Sequence, residues 1–384
     1  MATVLFILAA LTVLFWVVFS IDLIAGSFST PFMKNIIPRS AMPQPRVTVI
    51  IPARNEERNI EVALRSVLRQ DYPNLEFIVI NDRSTDSTEA ILARMSQADR
   101  RLRVVELHEL PPGWLGKNYA LYCGAEQAGG ELLLFTDADI VMHPSTVSAA
   151  VAYLTERRLD HLTLSPDITM PSILLGMMTA AFFILFSMFV RHWKARDSKS
   201  SRSVGIGAFN LVRASAYRAA GTHQAIAMRP DDDLKLGRLI KKNGFRQELL
   251  FGQGMISVEW YSSIRDLIHG LMKNSFASVN YSMVAVIAGT LTLFLMNVGP
   301  FLAVFFTQGI ARILNCMASL FALALACGGA RFHGYKWWYG MGYPFCILFF
   351  IGIIWKSALT ALANNGIDWR GTHYSLAELK ANKV

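Results

Sequence analysis

The sequence predicts an α/β domain with a mostly parallel sheet, accompanied by helices that cross a membrane. Three observations carry that prediction. Between residues 46 and 140, short apolar runs of strand length alternate with amphipathic helical segments. Three of those runs end in polar or acidic clusters. Long, nearly uncharged stretches stand at 2–26 and 284–362 of the 384 residues. Strand–helix alternation favours parallel strands joined by right-handed crossovers, and about 20 consecutive apolar residues are enough to span a bilayer. A composition of 53% hydrophobic and 17% charged residues is too apolar for a wholly soluble chain of this length.

The elements follow in order. Residues 2–26 lack a basic leading segment and run past the length of a signal-peptide core, so they read as a retained anchor whose span finishes near Ile21, before Asp22. A proline-punctuated linker, 31–45, includes Pro38 and Pro43. Residues 46–51 form a β-branched strand closed by Pro52, and a helix carries Ile60, Leu64, Val67 and Leu68 on one face. A second strand, 75–80, ends at Asn81-Asp82, and Ser84-Thr85-Asp86-Ser87 caps a helix to about Met95. A third strand, 102–107, precedes the loop 110–118 and a helix over 120–128. The stretch 132–140 then reads Leu-Leu-Leu-Phe-Thr-Asp-Ala-Asp-Ile, a strand buried on both faces that ends in two carboxylates, Asp137 and Asp139.

Polar clusters at Arg54–Glu56, Asp82 and Asp137/Asp139 thus fall at the carboxyl ends of strands, where open α/β sheets bind ligands. The last pair is a hard-oxygen site suited to a divalent cation that also holds a diphosphate. No P-loop is present, and Gly205-Ile-Gly207 is only a fragment of a dinucleotide fingerprint and carries little weight. The four cysteines, Cys123, Cys316, Cys327 and Cys346, have no metal-site spacing, so neither zinc nor a disulfide framework is expected. The net charge of +9 suits a domain facing anionic headgroups or a polyanionic substrate, and also the ordinary basic excess of a cytoplasmic face.

Five stretches resemble the motifs of processive and lipid-linked family 2 glycosyltransferases of the GT-A fold. They are Pro52-Ala-Arg-Asn-Glu56, Ile80-Asn-Asp-Arg-Ser-Thr-Asp86, Thr136-Asp-Ala-Asp139, the segment 205–217 and Asp231-Asp-Asp233-Leu-Lys-Leu-Gly237. Leu110-Pro-Pro-Gly-Trp-Leu-Gly-Lys117 looks most like the branch that glycosylates ceramide, hopanoid and carotenoid lipids. One departure stands out: where many relatives carry Gln-x-x-Arg-Trp, this chain has Ile264-Arg-Asp-Leu-Ile-His-Gly-Leu-Met-Lys-Asn274. The resemblance implies an inverting transfer from a nucleotide-diphosphate sugar, a UDP-sugar in the first instance, to a membrane lipid hydroxyl.

It also implies roles. Asp139 is the metal ligand, for Mg2+ or Mn2+, and Asp137 binds the donor's ribose or sugar or joins the metal shell. Pro52, Arg54, Asn55, Glu56, Asp82 and Lys117 line the donor side, with Lys117 and Asn118 against phosphate or base. Asp233 is the general base and Asp232 the next candidate, although three acids at a helix start would also complement its dipole. Trp114, Asn210, Arg265, His269 and Lys273 fall on the acceptor or leaving-group side. A base without a carboxylate nucleophile implies single displacement and inversion.

The implied layout is an anchor at 1–26, a GT-A domain at 46–278, membrane helices within 284–362 and a tail at 363–384. Three C-terminal spans are expected, near 284–306, 313–329 and 343–362, with a kink at Gly299-Pro300. The apolar run 173–190 reads as an interfacial or packed helix, because a single crossing would separate Asp82 and Asp139 from Asp233. The expected home is the bacterial inner membrane, with the catalytic domain in the cytoplasm and no nucleic-acid partner. A processive polysaccharide synthase, or a non-catalytic scaffold or transporter subunit with a degenerate nucleotide-binding domain, is the alternative. Missing Gln-x-x-Arg-Trp counts against the synthase, and intact Asp82, Asp139 and Asp233 count against the scaffold.

Overall fold

The computed structural model describes residues 2–38 and 44–382; Pro43 of the expected linker lies outside them. Helix α1 (Ala2–Ser29) precedes β1 (Val47–Ala53), α2 (Ile60–Leu68), β2 (Leu75–Asp82), α3 (Thr88–Ala98) and β3 (Leu102–Leu107). Next come α4 (Gly116–Glu126), β4 (Leu132–Phe135), β5 (Val141–Met142), α5 (Thr146–Glu156), β6 (His161–Ser165) and β7 (Asp167–Thr169). The middle of the chain holds α6 (Ile173–Val190), β8 (Asn210–Arg213), α7 (Ala214–Ala219), α8 (Asp232–Lys242), β9 (Gln247–Phe251) and β10 (Ile256–Glu259). The remainder is α9 (Ile264–Ser278), α10 (Met283–Asn297), α11 (Gly299–Phe306), α12 (Gly309–Phe332), α13 (Tyr343–Ala363), the hairpin β11 (Gly366–Trp369) and β12 (Thr372–Ser375), and α14 (Leu376–Ala381).

Seven strands form one sheet in the order β3-β2-β1-β4-β8-β6-β9. β1 pairs in parallel with β2 and β4, and β2 with β3. β8 runs antiparallel to both its neighbours, β4 and β6. Alternate residues feed two cores. Val47, Val49, Ile51, Leu132 and Leu134 pack with α2 and α5, and Ile50, Leu133 and Phe135 pack with Leu121 of α4, Tyr217 of α7 and Leu236 and Ile240 of α8. Burial on both faces is why these strands read as continuous apolar runs. Pro52 is tolerated inside a central strand because β4 pairs only with Val47–Ile50, leaving that edge of β1 open beyond Ile50.

Helix α4 starts four residues before the expected 120, so Lys117 and Asn118 lie in its first turn rather than in a loop. Nothing in Gly-Lys-Asn-Tyr119 breaks a helix, and Pro111-Pro112-Gly113 stops it from beginning earlier.

The chain divides into two compact units. The sheet and its helices make one, with His192–Glu259 and the chain from Ala381 onward. The other gathers α1, Thr169–Arg191 and Trp260–Lys380. Among the described residues four helices, lying almost wholly in this second unit, are long and apolar enough to cross a membrane: Thr3–Ser29, Ile173–Lys194, Gly309–Phe332 and Trp337–Ala363. The expected span at 284–306 is instead two helices that part at Val298, where Pro300 sits in the first turn of α11. α9 and α10 meet at a bend of 112°. Trp16, Tyr343 and Asn297 knit the unit: Trp16 Nε1 donates to Met296 O (2.9 Å), and Tyr343 Oη donates to Asn297 Oδ1 (2.7 Å). Outward-facing Phe305, Phe345 and Leu320 are exposed at 77%, 76% and 66%, an apolar surface of the kind that lipid covers.

Candidate active site

The antiparallel course of β8 builds the centre of the site. It places the loop entering β8 across the carboxyl end of β4, since Asn210 pairs with Phe135. Asp137 N donates to Gly207 O (3.2 Å), and Thr136 Oγ1 donates to Ala208 O (2.7 Å). A Cβ on Gly207 would stand 2.7 Å from Asp137 Oδ2 and 3.3 Å from Lys117 Nζ, and one on Gly205 would collide with the carbonyl of Asp233. At Gly205 only glycine allows this close approach, and at Gly207 a side chain would push the Asp137 carboxylate aside. The pair Gly205-Ile-Gly207, of little weight as a dinucleotide fingerprint, is the floor that brings Asp137 and Asp233 together. Two glycines just ahead of a strand were the available signal.

The run Asp231–Asp233 begins α8, and each carboxylate has its own surroundings. Asp231 is buried against Arg229, itself 2% exposed, with Nε–Oδ1 at 2.8 Å and Nη2–Oδ2 at 2.9 Å; Lys235 Nζ lies 3.8 Å away. Asp232 Oδ2 faces Lys117 Nζ at 3.5 Å. Asp233 accepts from Gly207 N at Oδ2 (2.8 Å) and from Leu234 N at Oδ1 (2.7 Å). Burial first, and then the Asp232 charge, push the Asp233 carboxyl up to about 6, against the pull of Lys117 and of those N–H donors.

Lys117 links the two acidic groups. Its Nζ is 2.7 Å from Asp137 Oδ1 as well as 3.5 Å from Asp232. Burial works against its charge, but Asp137, Asp232 and Asp233 outweigh it and hold the ammonium well above the usual lysine range. A permanent cation thus sits between the end of β4 and the start of α8.

Residues 48–219 match the family described as Glycosyl transferase family 2. The chain carries a family 2 glycosyltransferase domain. The match ends before α8, so the placing of Asp231–Asp233 comes from the geometry alone. A 4,4'-diaponeurosporenoate glycosyltransferase of Staphylococcus aureus is 24% identical over 86% of this chain and 89% of its own length. The namesake from Staphylococcus haemolyticus is 24% identical over 59% of this chain, a match that spans 60% of that relative. Among solved structures, the mannosyltransferase PcManGT of Pyrobaculum calidifontis, in complex with GDP-Man and Mn2+, superposes with a TM-score of 0.54 at 19% identity, over 94% of this chain and 99% of that one. That likeness shows a GT-A-like fold.

Around the centre of the glycosyltransferase domain, the remaining residues divide. Asp82 ends β2, with Arg83 Nε at 2.7 Å and Arg54 Nη1 at 3.5 Å; a Cβ on Gly116, the first residue of α4, would strike its carboxylate. Asn55, at φ 54°, ties the two strand ends: its Oδ1 accepts from Thr85 N (2.8 Å) and its N donates to Ser84 Oγ (3.0 Å). Glu56 N donates to Thr88 Oγ1 (2.8 Å). Asn118 does not face a ligand cleft, since its Nδ2 reaches the carbonyls of Ile226, Ala227 and Arg229. Asn210 is buried in the sheet, where its Oδ1 lies 3.0 Å from His161 Nε2 and accepts from Ile206 N (3.3 Å). Trp114 packs with Tyr119 and Tyr122 at ring separations of 5.4 and 5.0 Å. Arg265, His269 and Lys273 belong to α9 of the other unit, where Lys273 Nζ stands 3.9 Å from the centre of the Trp369 ring.

The donor set at the end of β4 fits a divalent ion. Burial first, and then the Asp137 and Glu56 carboxylates, push Asp139 up to about 7, a crowding of negative charge that a cation would relieve. Among the described residues no three His, Cys, Asp or Glu side chains converge into a cage. Such a set suits Mg2+ or Mn2+ shared with phosphate oxygens, because these ions are commonly held by one or two carboxylates plus the substrate's phosphates.

Proposed function

We propose that this protein transfers a sugar from a nucleotide-diphosphate sugar, a UDP-sugar, to the hydroxyl of a membrane lipid, with inversion at the anomeric carbon. The observation that carries the reading is the meeting of Asp137, Lys117, Asp232 and Asp233 across Gly207, which supports a diphosphate at the end of β4 beside a base on α8. Apolar helices flank the domain in sequence, and relatives are named for glycosylating a carotenoid, 4,4'-diaponeurosporenoate. Both support a lipid acceptor.

In this reading Asp82, Arg54 and Glu56 hold the nucleoside side of the donor. Asp139, with Asp137 beside it, would hold Mg2+ or Mn2+. When bound, that ion neutralises charge on the diphosphate. Lys117 offers its ammonium to the same phosphates. The acceptor oxygen attacks the anomeric carbon as Asp233 takes its proton, and the bond to the diphosphate breaks in the same displacement. The proton ends on Asp233 and the electron pair on the departing nucleoside diphosphate. Attack opposite the leaving group inverts the anomeric carbon.

The test is to incubate purified full-length protein with labelled UDP-sugars, Mn2+ and a total lipid extract. A labelled lipid that disappears with Asp233→Asn supports the proposal. A labelled polymer would replace it with a processive synthase, and donor binding without any transfer would replace it with a non-catalytic role.

A further inference from the structure

The segment 225–229 leads the chain into α8, so with the packing of α8 on the sheet its course sets where Asp233 stands. Two amide side chains from distant parts of the sequence hold it. Asn118, 1% exposed in the first turn of α4, directs Nδ2 to the carbonyls of Ile226 (2.8 Å), Ala227 (3.1 Å) and Arg229 (2.9 Å). Asn382 grips the same loop with both ends of its amide: Oδ1 accepts from Met228 N (3.3 Å), and Nδ2 donates to Ala225 O (3.1 Å). Leu115 N adds a bond to Ala227 O (2.9 Å). Just beyond, buried Arg229 fixes Asp231 through two bonds, and Asp233 lies two residues further on.

The chemistry of the clamp suits its place. The segment begins in the short 3-10 helix His223–Ile226 and then runs irregularly to Arg229, where backbone groups still want partners, and an amide supplies both donor and acceptor. It adds no charge next to Lys117 and three aspartates, whose balance tunes the base. A general base has to meet the attacking hydroxyl within hydrogen-bond reach.

We propose that Asn382 is a positioning residue for the transfer: beside Asn118 it clamps the 225–229 segment and through it holds Asp233 against Gly207 and beside Lys117. The proposal rests on Asp233 being the base. Asn382 lies outside the family match at 48–219, and neither amide reaches the reacting atoms.

The experiment compares full-length wild type, Asn382→Ala, Asn382→Asp and Asp233→Asn in transfer of labelled sugar from a UDP-sugar to extracted lipid, with melting temperatures measured alongside. Asn382→Ala is the main variant, because it removes a half-buried side chain outside the hydrophobic core. Its kcat should fall ~10- to 100-fold, the range in which a small misplacement of a catalytic group registers, while KM for the donor and the melting temperature stay at wild-type values. Asn382→Asp keeps the acceptor for Met228 N and loses the donor to Ala225 O, so its kcat should fall between the two. Wild-type kcat in Asn382→Ala, with Asp233→Asn inactive, would overturn the positioning role alone. So would a loss accompanied by raised KM and lowered melting temperature, the pattern of a general structural defect. Full turnover by Asp233→Asn would instead overturn the base assignment and this proposal with it.

Discussion

Asp231, Asp232 and Asp233 are chemically the same side chain three times, and the fold gives each a different task. Arg229 neutralises the first, Lys117 faces the second, and backbone N–H groups of Gly207 and Leu234 hold the third. The order of the three in sequence pointed to Asp233, but the surroundings that separate them come from Arg229, Lys117 and Gly207, which are distant or unremarkable as letters. Asp233→Asn should lower kcat by at least ~100-fold, a typical worth of a general base, with donor KM unchanged in steady-state kinetics. The pH dependence has a definite sign. Asp233 must be ionised to accept a proton, and its carboxyl is raised to about 6, so kcat should fall as pH drops through that value. Stability runs the other way. Asp233 and Asp139 are both raised in the folded protein, to about 6 and about 7, so ionising them costs folding free energy. The metal-free protein should therefore lose stability as pH rises from the ordinary carboxylate range toward 7, and thermal melts at pH 5 and 7 measure this.

At the scale of elements, two features carry the site: the reversed strand β8 and the early start of α4. Alternating apolar runs made the parallel strands β1 to β4 legible, because burial on both faces leaves a plain signature. The reversal of β8 leaves none, since Asn-Leu-Val-Arg213 reads the same in either direction. The family resemblance of 205–217 points to that region without showing that Gly207 lies against Asp137. Gly207→Ala should lower transfer while leaving the fold intact, because its methyl would lie 2.7 Å from Asp137 Oδ2 and displace that carboxylate; circular dichroism beside the transfer assay separates the two effects. Leu236 and Ile240 fasten α8 to the sheet, at 1% and 0% exposure. Leu236→Ala should cost ~2–5 kcal/mol of stability, the usual range for emptying a buried leucine site, as read from denaturant unfolding of the purified protein.

For the whole molecule, the sequence distinguishes an enzyme domain from apolar helices, and the compact units of the fold gather further segments with those helices. The sequence reads 173–190 as an interfacial or packed helix, because one crossing would part the acids, and places 260–278 within 46–278; Thr169–Arg191 and the chain from Trp260 pack with the apolar helices. Hydropathy could not reveal this, because a helix buried among other helices and a helix in a sheet domain are both apolar. The run 284–306 also reads as one span by composition, while its break at Val298 depends on backbone geometry around Gly299-Pro300. The exposed apolar side chains of α1, α12 and α13 predict that the protein stays with membranes through carbonate washing and needs detergent for extraction.

The central claim is that one cleft divides into a donor side at Asp139 and a base side at Asp233. Calorimetric titration of a UDP-sugar into the wild type, Asp139→Ala and Asp233→Ala, each with and without Mn2+, tests it most directly. Asp139→Ala should lose the Mn2+-dependent part of donor binding, and Asp233→Ala should keep wild-type donor affinity while transferring no sugar. Unchanged Mn2+-dependent binding by Asp139→Ala, or wild-type transfer by Asp233→Ala, would contradict the division.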